Sequence, residues 1–476
     1  MKRKLIGAAI AAAAAASLAA CSSGSNSTES AQTQAQTEAQ TEAESQDGGE
    51  SAAETTGEKK TLTVTFKDDG QGENHPWYVW LKNSYEQWGM KDQVELDLAP
   101  ITGSESDYYT KVALQLADAN TCPDLVIEDT FQLPNDVSAG YLTNLDEYVA
   151  DYEAWNDGTY YDAIKAGSIA SDGSVYGIPY STDARGIWYN KEIFKQAGLP
   201  EEWQPESWQD ILDACAAVKE NVPDVIPFWC NSGVATGEAT SMQTYEMLLY
   251  GTGEQLIDED GKWIVKSQAI LDTLQFISDI YTNGYGPSLS LVLNGQATNT
   301  ARREYIPQQK VAMVMDGAWI YANWDDTGAS PWPEYKEIMG FAAMPRQNGG
   351  GTITMSGGWT LSIPANSDMQ DEAFDFIKQL MEPPLYTESV MAQGSIVTRS
   401  DAAEDEAYSS QMFLAQATEL LEGAYFRPQN EQYSVVTTSI QTMVESVVSG
   451  TSPEEAMNQY ATDVARIVGD ENVVEK

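Results

Sequence analysis

The chain has 476 residues, with 72 Asp and Glu against 26 Lys and Arg, so its formal net charge is -46. A charge of this sign excludes a nucleic-acid binder and disfavours anionic lipid headgroups, because affinity for a polyanion comes from Lys and Arg that neutralise phosphates. The single histidine, His75, excludes a zinc site of several imidazoles and leaves a Ser-His-Asp or Cys-His enzyme no other base.

The first twenty residues have the pattern of a bacterial secretion signal. Basic residues at positions 2–4 precede a short Ala-rich apolar run that ends in small residues. The segment 18–21 resembles a lipobox, so we expect cleavage of residues 1–20 and lipidation of the Cys21 sulfur. A transmembrane helix is the weaker interpretation, because the run is short and no charged flank follows it. Cleavage removes three positive charges and gives a mature charge of -49.

The next segment has the composition of a flexible tether. Residues 22–61 contain no Val, Ile, Leu, Met or aromatic residue and therefore cannot bury a core. We predict a lipidated, disordered linker over 21–61 that holds a folded body on the outer face of the cytoplasmic membrane. Three cysteines remain in the body: Cys122, Cys215 and Cys230. Their odd number argues against a full disulfide framework and favours at least one buried free thiol.

The body begins with alternating strands and helices. Residues 62–66 and 94–98 predict strands, 77–88 and 107–116 predict helices, and 124–127 predicts a buried strand. Such a βαβαβ series is typical of a parallel sheet with helices on its faces.

A second series of this kind begins near residue 186 and includes the apolar run 225–229. Between the two series, residues 177–184 carry Gly and Pro without a helical period, which suits a crossover between lobes. Helical spacing returns over 368–381 and 429–448. The sequence thus predicts an α/β fold, with enough chain for two or three domains.

Short motifs along the body resemble those of extracellular solute-binding proteins (family 1) of sugar-type ABC importers. The matching segments, in chain order, are Pro123-Asp124, Gly140 to Leu145, Gly177 to Pro179, Trp188 to Phe194, Ala197 to Leu199, Ser207 to Ile211, Lys310 to Met313, Gly317 to Trp319, Gly357 to Trp359 and Glu372 to Ile377. Their order and spacing match the family across the body. Gln309 and Val397 depart from the pattern, because Gly and Pro are usual there.

The resemblance implies a periplasmic-binding-protein-like (type II) fold, in which two α/β lobes joined by a hinge close on a solute. We expect lobe one to comprise 62–181 and 345–393, and lobe two to comprise 182–344 and 394–476. The resemblance also implies a binding protein rather than an enzyme, and such a binding protein needs no cofactor. We expect a monomer that passes a carbohydrate, and specifically an oligosaccharide, to a membrane permease.

A sugar offers apolar C–H faces and many hydroxyl groups, so its receptor needs flat aromatic rings beside carboxylates and amides. The resemblance marks Trp319 as the stacking aromatic and Asp183 as an acid that binds hydroxyl groups. The other candidates follow strands or lie at matching turns: Asp69, Asn74, Asp107, Tyr108, Glu128, Asp129, Phe131, Trp229, Asn231, Trp359, Arg427 and Tyr433. For each of them, a buried core position or a solvated surface position is the competing interpretation.

Three other functions stay open. A secreted glycoside hydrolase would share an aromatic cleft and would need paired carboxylates, which an acidic chain supplies in any case. An adhesion or signalling lipoprotein would keep the fold without transport. A receptor for a cation or an amine would benefit from the negative charge. A calcium-loop pattern is absent from the sequence, however, and Asp258 to Gly261 predicts a hairpin turn, so we expect no metal site.

Overall fold

The computed structural model describes residues 59–476. The chain divides after Gly57, and Glu58 to Lys476 form one compact unit. The predictions for the signal segment, for Cys21 and for nearly all of the linker lie outside the described residues. Within 59–476, none of the helices is both long enough and apolar enough to cross a membrane.

The described strands are, in chain order, β1 Lys60–Asp68, β2 Val94–Thr102, β3 Leu125–Asp129, β4 Ile178–Thr182, β5 Arg185–Asn190, β6 Ile226–Trp229, β7 Trp263–Lys266, β8 Val311–Gly317, β9 Met339–Ala342, β10 Met344–Pro345, β11 Thr352–Ser356, β12 Gly358–Ser362, β13 Ile396–Val397, β14 Ala424–Phe426 and β15 Val473–Glu475.

The described helices are α1 Pro76–Gln87, α2 Glu105–Ala117, α3 Leu133–Ser138, α4 Asp146–Ala150, α5 Glu153–Asn156, α6 Asp162–Lys165, α7 Lys191–Ala197, α8 Trp208–Asn221, α9 Glu238–Thr240, α10 Met247–Thr252, α11 Gln268–Thr282, α12 Leu289–Val292, α13 Ala297–Thr300, α14 Tyr335–Ile338, α15 Gln370–Leu380, α16 Leu385–Ala392, α17 Ser400–Ala403, α18 Glu406–Ser409, α19 Met412–Leu420, α20 Tyr433–Val448 and α21 Pro453–Val468.

The first sheet has six strands in the order β13-β4-β12-β3-β1-β2. β1 pairs in parallel with β2 and with β3, whereas β12 joins β3 and β4 in antiparallel orientation. The predicted βαβαβ series is therefore confirmed, and its three strands end at the same edge of the sheet.

The second sheet has four strands in the order β6-β8-β5-β9. β4 of the first sheet and β5 of the second are separated only by Asp183 and Ala184, so this predicted crossover passes directly between the sheets. The lobe boundaries stay a prediction. β13, which the prediction assigns to lobe two, pairs with β4 in the first sheet, so that sheet extends at least to residue 397.

Alternating side chains on the central strands fill two large cores. On β5, Trp188 packs into one core, and its neighbours Ile187 and Tyr189 pack into the other. Side chains that alternate between two cores with a period of two residues are expected for a strand buried on both faces. The structure leaves Cys122, Cys215 and Cys230 as free thiols, and the last two are buried, as the odd count predicts.

Local signals start the helices that flank the cleft described below. The imidazole Nδ1 of His75 accepts a hydrogen bond from the Trp77 amide at 3.2 Å, and Pro76 occupies the first helical turn of α1. Ser104 and Asp107 form a reciprocal capping box at the start of α2. The predicted hairpin turn is also present, because the Asp258 amide donates to the Lys262 carbonyl at 2.9 Å.

Candidate functional site

A cleft of about 1680 Å³ lies between the two sheets. One wall is built by segments that follow the carboxyl ends of β1, β2 and β3 in the first sheet. The other wall comes from the start of β5, from the region of α9 and α13, and from the 3-10 turn Ala318–Asn323 after β8. Nine of the predicted contact residues line it: Asp69, Asn74, Asp107, Asp129, Phe131, Asp183, Trp319, Trp359 and Arg427.

Trp319 is partly buried in the wall of the second sheet. The Arg185 guanidinium lies 4.8 Å and the Arg302 guanidinium 5.9 Å from the centroid of its ring. Arg302 is itself fixed by two hydrogen bonds to the buried carboxylate of Asp316, at 2.8 and 2.7 Å. Cation–π attraction and this rigid ion pair hold the indole in one orientation.

The Trp319 ring occupies the space in which a side chain at position 317 would lie. A Cβ atom on Gly317 would lie 1.9 Å from the ring, which is far inside van der Waals contact. The Gly317 amide donates to Asp316 at 2.8 Å, and its carbonyl accepts from the Trp188 indole at 2.9 Å. The end of β8 therefore fixes the aromatic side chain through backbone contacts and through the absence of a side chain at one position.

Asp183 lies at the crossover between the sheets and at the floor of the cleft. Its carboxylate forms an ion pair with Arg185 and accepts a hydrogen bond from the Gly357 amide at 2.9 Å. Arg185 also donates to the Met355 carbonyl at 3.0 Å. Asp183 is thus held by charge and by backbone on both sides, and it keeps a partly exposed carboxylate that faces the cleft.

Arg427 joins the two walls at the floor. Its guanidinium lies 2.6 Å from the Asp129 carboxylate, 3.3 Å from the Glu238 carboxylate and 4.6 Å from the centroid of the Phe131 ring. Asp129 ends β3 of the first sheet, whereas Glu238 begins α9. A buried cation between two acids has a large desolvation cost that only such close pairing offsets.

Tyr433 lies behind this triad rather than at the cleft surface. Its hydroxyl is 2.9 Å from Glu238 and 2.6 Å from Glu246, and the side chain is fully buried. Burial, followed by the negative charge of Glu238, raises the pKa of Glu246 to about 8. The prediction that Tyr433 contacts ligand is therefore not supported by its position, because its polar atom is used inside the protein.

Four more predicted residues lie outside the cleft lining: Tyr108, Glu128, Trp229 and Asn231. The Tyr108 hydroxyl donates to the Ile127 carbonyl at 2.5 Å, and Trp229 packs on Tyr305 inside the protein. The Asn231 side chain is buried and accepts from Thr298 at 3.4 Å.

Glu128 is the instructive case among these residues. It precedes Asp129 in β3, and consecutive side chains of a strand point to opposite faces, so only Asp129 reaches the cleft. Burial, together with the nearby Asp136 carboxylate, raises the pKa of Glu128 well above its ordinary value.

Of the remaining predicted residues, Asp107, Trp359 and Asp69 have partners within the protein, whereas Asn74 is exposed. The Asp107 carboxylate accepts from the Ser104 hydroxyl at 2.8 Å and is used mainly as a helix cap. Trp359 is half-buried, and its ring packs edge-on against Trp77 with centroids 5.0 Å apart. Asn74 is exposed at the rim, and Asp69 forms an ion pair with Arg303.

Sequence reasoning named Arg427 but missed the other three arginines of the cleft, Arg185, Arg302 and Arg303. Four of the eight Arg residues of the chain line it: Arg185, Arg302, Arg303 and Arg427. Each forms an ion pair, with Asp183, Asp316, Asp69 and the Asp129–Glu238 pair respectively. The doublet at 302–303 in so acidic a chain is the one local signal that points to them.

Within residues 59–476, one group of potential metal ligands is found, formed by Asp68, Asp69 and His75 with ligand atoms within 4.8 Å of one another. One Asp68 oxygen accepts from the amides of residues 70, 71 and 72, and the other accepts from Thr102 at 3.0 Å. Asp69 is paired with Arg303. These carboxylates stabilise a turn, and a cation would have to displace those partners.

A sequence profile described as "Bacterial extracellular solute-binding protein" matches residues 90–384, which is more than half of the chain. An arabinooligosaccharide-binding protein of Halalkalibacterium halodurans is 28% identical over 210 residues, which cover 44% of this chain and 44% of that protein.

Solved structures show the same two-lobe fold. An ABC transporter solute-binding protein from Thermotoga lettingae, bound to α-D-tagatose, superposes with a TM-score of 0.74 at 25% identity and covers 86% of this chain and all of its own. The maltose-bound protein MalE3 of T. maritima superposes with a TM-score of 0.71 at 20% identity, with 86% of this chain and 100% of that chain covered. The predicted two-lobe α/β architecture is confirmed.

Proposed function

Because the chain belongs to the bacterial extracellular solute-binding proteins, we propose that it captures a carbohydrate between its two lobes and delivers it to the permease of an ABC transporter. In this proposal the protein acts as a monomer and is anchored to the outer face of the cytoplasmic membrane by a lipid on Cys21. Its relatives and structural neighbours are binding proteins rather than enzymes.

The observation that carries the proposal is the fixed indole of Trp319 at the cleft surface, surrounded by hydrogen-bonding groups that are already held in place. A flat ring of this kind binds the apolar face of a pyranose, and rigid carboxylates and guanidinium groups exchange hydrogen bonds with its hydroxyls at little entropic cost. All four cleft arginines are paired with acids, which favours a neutral ligand over an anionic one.

The size of the cleft supports a ligand longer than one sugar. Pockets for drug-sized molecules enclose roughly 300 to 1,000 Å³, whereas this cleft encloses about 1680 Å³. A relative named as an arabinooligosaccharide-binding protein and a structural neighbour with bound maltose also support a ligand of more than one sugar. We therefore propose an oligosaccharide as the ligand class.

A thermal-shift screen of the protein against mono- and oligosaccharides tests the proposal, with amino acids, polyamines and Ca²⁺ as comparison ligands. A ligand at a hundredfold excess over Kd stabilises the folded state by about 2.7 kcal/mol. We expect shifts with oligosaccharides that are recovered unchanged, and a loss of affinity of tenfold or more in Trp319→Ala. Trp203→Ala is the matched control, since Trp203 is half-buried outside the cleft.

The other functions would give different outcomes. Shifts with amines or Ca²⁺ alone would overturn the carbohydrate assignment and favour a receptor for cations. A sugar that is hydrolysed during the assay would favour the glycoside hydrolase. Against the hydrolase, the cleft carboxylates of Asp183, Asp129 and Glu238 are ion-paired with Arg185 or Arg427, whereas hydrolysis requires one carboxyl group to donate a proton and a second to act as base or nucleophile.

A further inference from the structure

An ion pair between Asp69 and Arg303 crosses the rim of the cleft. Asp69 follows β1 of the first sheet, and Arg303 belongs to the π-helical turn Ala301–Tyr305 that precedes β8 of the second sheet. The two charged groups therefore come from opposite walls, 234 residues apart in sequence.

Each of the two side chains also forms a hydrogen bond to a second residue, which restrains its position. The Arg303 Nε donates to the Asn323 side chain at 3.0 Å, and the Asp69 carboxylate accepts from the Gln71 side chain at 3.0 Å. An ion pair between restrained partners loses less side-chain entropy than one between free surface residues. The side chains remain about a quarter exposed, at 25% and 23%, so salt in the solvent screens their attraction.

The ion-paired triad of Arg427, Asp129 and Glu238 can be compared with the pair of Asp69 and Arg303. It also joins the walls, but it lies at the floor beside the crossover, and its guanidinium is almost fully buried. In a hinge motion, atoms near the axis move little and atoms at the rim move far. Opening of the lobes must therefore separate Asp69 from Arg303, whereas the floor triad can stay intact.

We propose that Asp69 and Arg303 form a latch that stabilises the closed arrangement of the lobes. The carboxylate of Asp69, predicted from sequence to contact ligand, serves here to position the lobes. The latch makes closure depend on ionic strength even when no ligand is bound. The latch proposal rests on the two-lobe fold alone. Only the dissociation measurement described below also depends on the proposed sugar function.

Closure is measured without ligand by the distance between two spin labels in the full chain. The labels are placed at Leu114→Cys in α2 and Leu289→Cys in α12, both of which are exposed, in a background that carries Cys21→Ser and Cys122→Ser. In the parent we expect a short-distance population at 20 mM NaCl that decreases at 500 mM. Asp69→Asn and Arg303→Gln should each reduce the closed-to-open ratio at low salt by about two- to fivefold and abolish the salt response.

The double variant should be no more open than either single variant, because both remove the same interaction. Lys266→Gln is the matched control, since it breaks an exposed 2.8 Å ion pair with Glu475 away from the cleft and should change nothing. Arg303→Lys keeps the charge and should keep the salt response, which separates a latch from a loss of folding. Single variants with the parent's distance distribution, or additive effects in the double variant, would overturn the latch.

A second readout is the dissociation rate of a sugar that passes the thermal-shift screen. We expect it to rise by about two- to fivefold in either single variant, with the association rate nearly unchanged. If no sugar binds the parent, the proposed function fails while the spin-label result still decides the latch. If a sugar binds and its dissociation is unaffected, the latch is rejected and the proposed function stands.

Discussion

At the scale of single residues, His75 shows how burial sets the charge state of a capping group. Its Nδ1 accepts the Trp77 amide, so only an imidazole unprotonated at this nitrogen can cap α1. Burial lowers the pKa of His75 to about 4, and the Asp69 and Asp68 carboxylates counteract this only in part.

The folded pKa lies below the unfolded value of 6.5. His75 therefore contributes stability that is present above pH 6.5 and is lost as the pH falls towards 4, on the order of 3 kcal/mol in total. Because the chain has one histidine, its imidazole proton resonance can be followed without assignment. We expect a midpoint near pH 4 by NMR, and a midpoint near 6.5 would contradict the burial argument.

The variant His75→Asn keeps a side-chain acceptor at the start of α1 but does not titrate. The difference in unfolding free energy between parent and variant, measured in urea from pH 7 to pH 4.5, should therefore isolate this histidine from the many titrating acids.

At the scale of elements, the end of β8 and the turn after it form one unit that positions Trp319. Gly317 has φ -71° and ψ 153°, which any residue adopts, so Gly317→Ala introduces no backbone strain. Its effect is steric, because the new Cβ would lie 1.9 Å from the present position of the Trp319 ring. We expect the ring to move and the affinity for the sugar to fall by tenfold or more, as in Trp319→Ala.

Gly89→Ala is the control for this change, since a Cβ there meets nothing within 4 Å among the described residues. Calorimetric titration with the sugar measures affinity, and near-UV circular dichroism reports the movement of the indole. A Gly317→Ala protein that binds as well as the parent would show that the orientation of Trp319 does not determine affinity.

At the scale of the whole molecule, the net charge of -46 opposes compaction. Salt screens this repulsion over distances of roughly 10 Å at 0.1 M. We expect the melting temperature measured by calorimetry to rise between 20 and 500 mM NaCl. Salt should thus stabilise the fold while it weakens the closed arrangement of the lobes. A melting temperature that is flat or falls with NaCl would contradict the charge argument.

The sequence by itself determined the α/β class, the βαβαβ order of the first sheet and the helices near 77–88, 107–116, 368–381 and 429–448. These features depend on hydrophobic periods of 2 and 3.6 and on capping residues, which act over a few neighbouring positions. The motif order also indicated the family, which the profile match shows. It marked Trp319 and Asp183 as well, and both line the cleft.

Only the tertiary structure decided which neighbouring side chain faces the cleft and which charges pair across it. Asp129 reaches the cleft and Glu128 does not, because the pairing of β3 with β1 and β12 fixes the face of the sheet to which each residue of β3 points. Arg303 meets Asp69, and Arg427 meets Asp129 across 298 residues of chain. Such contacts depend on how two sheets are placed by their crossovers, and no local pattern of the sequence encodes that placement.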